Sequence, residues 1–393
     1  MSYTVNGTLE NNVMTVSLGG RVDSSNSSET EEAIRALLTP EVQDVILDIE
    51  DLEYISSAGL RVVLRLRKDY PTLKVVNASS EVYEIFDMTG FTEMLPVEKA
   101  YRKLSVDGCE VIGEGSNGVV YRIDRDTIIK VYRNPDALPE IHKERELARK
   151  AFVMGVPTAI PYDVVKVGES YGSVFELLNA TSFSKIIAAE PDKLDQVIDW
   201  SVELLKTIHS VELEPGEMPD MKAVAVDWAH YLEGHLPEEI YQKLVSLVEA
   251  VPENHHMMHG DYHTKNIMLQ NGEVLLIDMD TLCLGDPVFE FGSIYNAYVG
   301  FSELDHNVSQ NFLGIPHEAA ETIWDQTVRR YFGTEDEAEV EAIKEKAMVI
   351  GQTRLLRRTL RRLADTEEGR KQIECSRNHL LELVPKIDSL TLA

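Results

Sequence analysis

Cysteine is scarce in this chain. Only Cys109, Cys283 and Cys375 occur among 393 residues. They are far apart, odd in number and without metal-ligand spacing, which excludes a disulfide framework and fits thiols held reduced in a cytosol. No apolar run approaches the roughly 20 residues of a membrane helix. The first residues, "MSYTVNGTLENNVMTVSLGG", have no basic start followed by an apolar stretch, so no signal peptide is expected. The expected compartment is the cytoplasm, with no membrane insertion. Positive charge is also short: 38 Lys and Arg stand against 67 Asp and Glu, a formal net charge of -29. Such a surface repels phosphate backbones, so nucleic acid is not an expected partner. There is no internal repeat and no long low-complexity tract.

What is present is ample core material, 44% hydrophobic residues, in a chain longer than a single core of about 250 to 300 residues supports. Two domains are expected, at 1–103 and 104–390, the second with a small lobe at about 104–180 and a helical large lobe at about 181–390. The first reads as a strand–helix alternation with a parallel or mixed sheet. Strands are predicted at 12–18, 44–50, 72–78 and 93–98. Helices are predicted at 28–38 (with Ser28 as N-cap), 58–70 and 80–90. The second domain opens with hairpin-like strands, continues with a helix over 140–161, and turns mainly helical beyond residue 185, an α+β bilobal pattern.

"GEGSNGVV" carries Gly113, Gly115 and Gly118. A dinucleotide site would need a helix straight after Gly118. "VVYRI" is β-branched and aromatic and continues as a strand. A glycine loop between antiparallel strands is the arrangement that covers nucleotide phosphates in kinases. Lys130, in the returning strand "TIIKVYR", can reach the α- and β-phosphates. It needs a carboxylate to hold it, and Glu144 and Glu146 are the candidates, with Glu144 preferred.

"HMMHGDYHTKNIMLQNGEVLLIDMD" (256–280) admits two readings. His255, His259 and His263 recur at four-residue steps, as zinc ligands on a helix would. Gly260, Asp261 and the polar "DYHTKN" argue for a loop instead. The phosphoryl-transfer reading places Asp261 to accept or orient a hydroxyl proton. Asn266 and Asp278 then offer hard oxygens to Mg²⁺, with Asn271–Gly272 as a tight hairpin turn between two strands.

"HGDYHTKN…LLIDMD" resembles the aminoglycoside phosphotransferase and choline kinase branch of the protein-kinase-like fold. The resemblance covers about 105–385 and implies an ATP- and Mg²⁺-dependent kinase acting on an alcohol group. In it Asp261 is the catalytic base, Asn266 and Asp278 bind Mg²⁺, and Lys130 binds phosphates. "VFELL" (174–178) resembles the hinge whose backbone would bind adenine, which brings in Glu176 and Leu178. In "LGDPVFEFGSIY", Asp286 is expected to hold the catalytic loop, with Glu290 where the family more usually has aspartate. His209, in "LLKTIHSVE", is expected to be structural, and Asp280 secondary.

"LGGRVDSSNSSETEEAI", "VILDIEDLEYISSAGLRVVL" and "EIFDMTGF" make residues 1–100 similar to STAS domains of the anti-anti-sigma type. In that family a serine before "SGL" or "AGL" is the regulatory phosphosite, which maps to Ser57, with Ser56 as the alternative. The same serines also suit an N-cap. The domain implies a protein-binding switch with a signalling partner.

Three functions follow. One is a kinase of a small hydroxyl- or amine-bearing molecule, the second a protein kinase acting on Ser57 or Ser56 of its own or another STAS domain, the third a nucleotide-sensing scaffold. Two charge runs stay open. "HYLEGHLPEEIY" (230–241) suits either a cationic substrate or a solvated helix. "RLLRRTLRRLA" (354–364) suits an anion, a partner helix or a solvated face.

Overall fold

The computed structural model describes residues 3–115 and 117–392. One compact unit ends at Ser105 and includes Val165–Gly168; the second starts at Val106. The first is an α/β fold built from β1 (Thr4–Glu10), β2 (Val13–Val22), α1 (Ser27–Leu37), β3 (Asp44–Asp48), β4 (Leu52–Ile55), α2 (Ser57–Asp69), β5 (Lys74–Ala78), α3 (Ser80–Met88), α4 (Phe91–Met94), β6 (Val97–Lys99) and the short β7 (Arg102–Lys103). The sheet order is β1-β2-β3-β5-β6, with β4 beside β2. It is mixed: β1 runs antiparallel to β2, and β2, β3, β5 and β6 are parallel neighbours. Alternating buried residues of the strands meet the apolar faces of the helices in one core around Val16, Leu47, Leu66, Val75 and Phe86.

Three details depart from expectation. β1 carries no apolar alternation, because nearly all of it is exposed and it is held by its ladder to β2. Ser28 is not the N-cap of α1. That place is taken by Asn26, whose side chain is used up in the preceding turn, accepting from Asp23 N at 2.8 Å and donating to Arg21 O at 2.8 Å. Residues 91–94 are a helical turn entered through left-handed Gly90, φ 75°, so the last strand of this sheet starts only at Val97.

The second unit begins with β8 (Glu110–Glu114), β9 (Gly118–Arg122), β10 (Thr127–Tyr132), α5 (Leu138–Val153), β11 (Pro161–Val167) and β12 (Ser170–Glu176). Its strands run in the order β11-β12-β10-β9-β8, with β8, β9, β10 and β12 antiparallel neighbours. The helix expected over 140–161 stops at Val153. Gly155 follows in the left-handed region at φ 87°, a common helix stop, and the chain then enters β11.

The helical part comprises α6 (Phe183–Ala189), α7 (Leu194–His209), α8 (Met221–His230), α9 (Glu238–Glu249), α10 (Pro287–Tyr295), α11 (Asn307–Leu313), α12 (His317–Phe332), α13 (Glu337–Arg362) and α14 (Glu367–Leu383). Set among them are the short strands β13 (Thr181–Ser182), β14 (Met257–Met258), β15 (Ile267–Gln270), β16 (Glu273–Leu276) and β17 (Cys283–Leu284). β15 and β16 form a hairpin closed by Asn271–Gly272, both at positive φ as such a turn requires. The segment 259–266 leaves β14 and re-enters at β15, so its side chains sit at one end of the hairpin. No helix among the described residues is long and apolar enough to cross a membrane.

Candidate functional site

A cleft of about 450 Å³ is lined by the glycine loop, Lys130, Glu144, the 175–178 segment, Asn266 and Asp278. The glycines serve different ends. A Cβ on Gly118 would lie 2.3 Å from the Val131 carbonyl oxygen, so this glycine lets β9 pack on β10. A Cβ on Gly115 would meet nothing within 4 Å, and Gly113 has only ordinary contact with Val120. Of the three, only Gly118 is demanded by packing.

On α5, buried Ile141, Glu144, Leu147, Ala148 and Ala151 recur at helical spacing, which turns Glu144 inward. Its carboxylate accepts from Lys130 Nζ at 2.8 Å and from the Tyr132 hydroxyl. Glu146 falls on the outer face and pairs with Lys150 at 3.7 Å. Lys130 Nζ is also 3.5 Å from Asp278 Oδ1. Burial works against the ammonium, but Glu144 and then Asp278 outweigh it and hold its pKa above the ordinary lysine value. Glu176 and Leu178 lie along the cleft wall. The Glu176 and Leu177 amides are already bonded to the Ile160 and Asp126 carbonyls, at 3.1 and 2.8 Å.

The loop bearing Asp261 is held from several sides. Gly260 has φ 79°, and a Cβ there would lie 2.6 Å from Thr281 O, so only glycine fits. Glu290, wholly buried on α10, accepts from His259 N at 2.6 Å and Gly260 N at 3.0 Å. Ser293 Oγ and Arg354 Nη1 donate to Gly260 O at 2.8 and 3.2 Å. Asn266 Nδ2 donates to Asp261 O at 3.0 Å, and Asp261 Oδ2 lies 3.5 Å from His263 Nε2. Burial would raise the Asp261 pKa. Its hydrogen bond with His263, then the charges of His263, His259 and Arg354, reverse that and take it down to about 2. Such a carboxylate stays ionised and is a weak base, better suited to orienting a hydroxyl than to stripping it beforehand.

Glu290 was not anticipated as the loop anchor. Asp286, expected in that role, instead caps α10 through Val288 N at 2.9 Å. The glutamate side chain, longer than an aspartate's, spans both amides. His209 lies under this anchor, 3.7 Å from Glu290 Oε2 and 2.8 Å from the Tyr331 hydroxyl, with no approach to the cleft lining.

The zinc reading of His255, His259 and His263 fails on geometry. The segment is a strand end and a loop, and His259 uses both ring nitrogens, accepting from Asp261 N at 3.3 Å and meeting Ile277 O at 3.2 Å. The cleft offers oxygens instead. The Asn266 amide commits its nitrogen to Asp261 O, which leaves its oxygen as an acceptor, and Asp278 is an exposed carboxylate at φ 66° on the same wall. Asp280, beside it, is pushed up to about 7, first by burial, then by the charges of Asp278 and Glu144. An all-oxygen set of one amide and one or two carboxylates fits Mg²⁺ and not a thiolate- or imidazole-seeking metal.

In the first unit, Ser56 is the N-cap of α2, half-buried, accepting from Gly59 N at 3.4 Å. Ser57 is the first helical residue and is exposed.

Residues 108–327 match the model of a family described as the phosphotransferase enzyme family, and residues 5–104 match that of the STAS domain. Over 84 residues the chain is 38% identical to BtrV of Bordetella bronchiseptica, named as an anti-sigma factor antagonist; the match covers 20% of this chain and 72% of that protein. Among solved structures it is similar to a thermostable mutant of aminoglycoside phosphotransferase APH(4)-Ia in apo form, with 14% identity and TM-score 0.49 over 71% of this chain and 94% of that one. It is also similar to a choline/ethanolamine kinase family protein from Mesorhizobium loti, with 16% identity and TM-score 0.46 over 70% and 87%.

Proposed function

This chain belongs to the phosphotransferase enzyme family and carries a STAS domain ahead of the phosphotransferase part, and from that premise we propose that it is a cytoplasmic, ATP- and Mg²⁺-dependent kinase that phosphorylates a hydroxyl of a small molecule. The observation that carries this reading is the convergence of Lys130 with Glu144, Asn266 and Asp278 on one cleft, with Asp261 in the loop beside it.

In this reading Gly113, Gly115 and Gly118 let the β8–β9 turn lie over the phosphates, Lys130 neutralises the α- and β-phosphates, and the backbone at Glu176–Leu178 takes the adenine. Asn266 and Asp278 would hold Mg²⁺, which supplies positive charge against the phosphate oxygens. Asp261 orients the acceptor hydroxyl. The hydroxyl oxygen bonds to the γ-phosphorus, the bond from that phosphorus to the β–γ bridging oxygen breaks, and ADP leaves with the electron pair. The hydroxyl proton passes to Asp261 and on to water. Glu144 keeps the ammonium aimed; without it the half-buried lysine would keep only the longer 3.5 Å contact with Asp278 and would swing toward that carboxylate.

The STAS part is the regulatory, partner-binding element. Exposure of Ser57 at a helix N-terminus, where a phosphate's charge is favoured, supports a second reading in which such a serine is the acceptor.

Calorimetric titration with ATP and with Mg²⁺ tests the nucleotide half of the reading. Binding should need Mg²⁺ and weaken by about tenfold or more in Lys130→Ala and in Asp278→Asn. Binding unaffected by both substitutions would put the nucleotide elsewhere.

A further inference from the structure

The proposed phosphotransfer leaves the arginine run of α13 unused. Arg354, Arg358 and Arg362 recur at four-residue steps and so share one helix face. Arg354 reaches the catalytic loop itself, through Gly260 O. A line of ring contacts connects the loop to Arg358. His263, 3.5 Å from the Asp261 carboxylate, packs edge-on against Phe312 at 5.1 Å; Phe312 meets Phe301 at 6.0 Å, and the Arg358 guanidinium lies 5.0 Å from the centre of Phe301. Lys265, in the same loop as Asp261, places its ammonium 5.6 Å from the Phe312 ring. A cation therefore stands against each ring of the Phe301–Phe312 pair, and His263 links Phe312 to Asp261.

Among the described residues no carboxylate forms an ion pair with Lys265, Arg354, Arg358 or Arg362, although acids outnumber bases by 67 to 38. Arg329 pairs with Asp325 and Glu337, Arg330 with Asp195 and Asp199, and Arg357 with Asp227, whereas Arg361, on the adjacent face of α13, likewise has no carboxylate in an ion pair among the described residues. Partial withdrawal of its head group from water, then the like charges of Arg362 and Arg354, push the Arg358 pKa below the ordinary value. Arg358 and Arg362 offer planar donor forks that suit carboxylate and phosphate oxygens and Lys265 adds a point charge, while Arg354 is committed to Gly260 O and Ser293 Oγ at 3.2 and 2.6 Å.

We propose that the acceptor is an anion: a hydroxyl compound that also carries a carboxylate or a phosphate, gripped by Arg358, Arg362 and Lys265 while its hydroxyl meets Asp261. This rests on the phosphotransferase reading and narrows it. It disfavours polyamine acceptors, which these cations repel. Among the described residues the acidic run 230–241 forms no ion pair with these cations: its Glu233, Glu238 and Glu239 are exposed, and its His230 pairs with Glu249.

The test uses the full chain with Mg²⁺ and ADP, titrated calorimetrically with glycerol 3-phosphate, D-glycerate, choline and kanamycin. One of the two anions should bind about tenfold or more tighter than either cation, and which one it is separates phosphate from carboxylate recognition. The double substitution Arg358→Gln, Arg362→Gln should weaken that anion about tenfold, whereas Arg361→Gln, which removes one of the same charges from an adjacent face, should leave it within about twofold. Tighter binding of a cation, an equal loss in Arg361→Gln, anion binding untouched by the double variant, or no anion binding up to millimolar concentration would each overturn the proposal. Failure of the underlying reading shows separately, as wild-type protein that does not bind Mg²⁺ and ADP.

Discussion

Glu290→Ala should be the most damaging substitution outside the cleft. The carboxylate is wholly buried and accepts from two consecutive amides, His259 N at 2.6 Å and Gly260 N at 3.0 Å. Alanine leaves both amides buried without an acceptor. At about 1–3 kcal/mol for each such group, the loss is roughly 2–6 kcal/mol before any cost of the cavity. For a unit of this size, where a kilocalorie corresponds to about 2–4 °C, the melting temperature should fall by roughly 5–20 °C. Glu290→Gln keeps one oxygen that can serve both amides and should cost less than half as much. The loop that positions Asp261 hangs on these two bonds, so turnover should fall more than nucleotide affinity, by about a hundredfold for a displacement near 1 Å. Urea unfolding of the three proteins, followed by fluorescence, measures the stability part. An alanine variant within about 0.5 kcal/mol of wild type, or a glutamine variant as costly as alanine, would refute the assignment of Glu290 as the loop anchor.

Gly260→Ala forces a left-handed alanine against Thr281 O and should cost about 1–3 kcal/mol in a thermal melt. Gly115→Ala meets nothing and should leave the melt unchanged, so any loss it causes belongs to nucleotide binding. Ser56→Ala removes the N-cap of α2 through a long 3.4 Å bond and should cost about 0.5–1 kcal/mol, whereas Ser57→Ala should be near neutral to stability. His379 donates to Glu303 at 2.5 Å; that hydrogen bond raises the imidazole pKa against the effect of burial and lowers the carboxyl pKa. The histidine's share of stability is complete below its unfolded pKa, near 6.5, and is lost as pH rises through the higher folded value. The glutamate's share is present above its unfolded pKa, near 4.5, and is lost as pH falls through the lower folded one. His379→Gln should therefore be most destabilising between about pH 5 and 6, with the gap to wild type closing toward pH 9 in denaturant titrations. A gap that stays constant over that range would contradict the pairing.

Much of this arrangement was legible in the sequence because it is local. Period-two alternation in "NVMTVSL", the Asn271–Gly272 turn and the strand that follows Gly118 each report on a few neighbouring residues, and each stands in the structure. The Asp261-to-Asn266 spacing kept both in one loop, where the Asn266 amide bonds the Asp261 carbonyl. What escaped depends on contacts between distant segments. β1 is nearly all exposed and owes its place to a ladder with β2, so no periodicity marks it. Glu290 and Asp286 are both acids in one short stretch, and only the approach of α10 to the 259–260 backbone separates anchor from cap. The apolar face of α5 is what turns Glu144 inward and Glu146 outward, a pattern the sequence does hold in Ile141, Leu147, Ala148 and Ala151. The arginine run could be seen but not read, since its meaning lies in the rings beside it and the carboxylates that are elsewhere.

The most direct test of phosphotransfer is an assay with γ-labelled ATP and Mg²⁺ on the full chain and on Asp261→Asn, followed by separation of protein, nucleotide and small-molecule products. The account predicts label moving to water or to an added hydroxyl acceptor in the wild type, and that flux falling about a hundredfold or more in the variant while ATP binding survives. Label confined to a peptide containing Ser57 would instead support the protein-kinase reading. No transfer by wild-type protein that binds ATP, or transfer at equal rates in both proteins, would contradict the central claim.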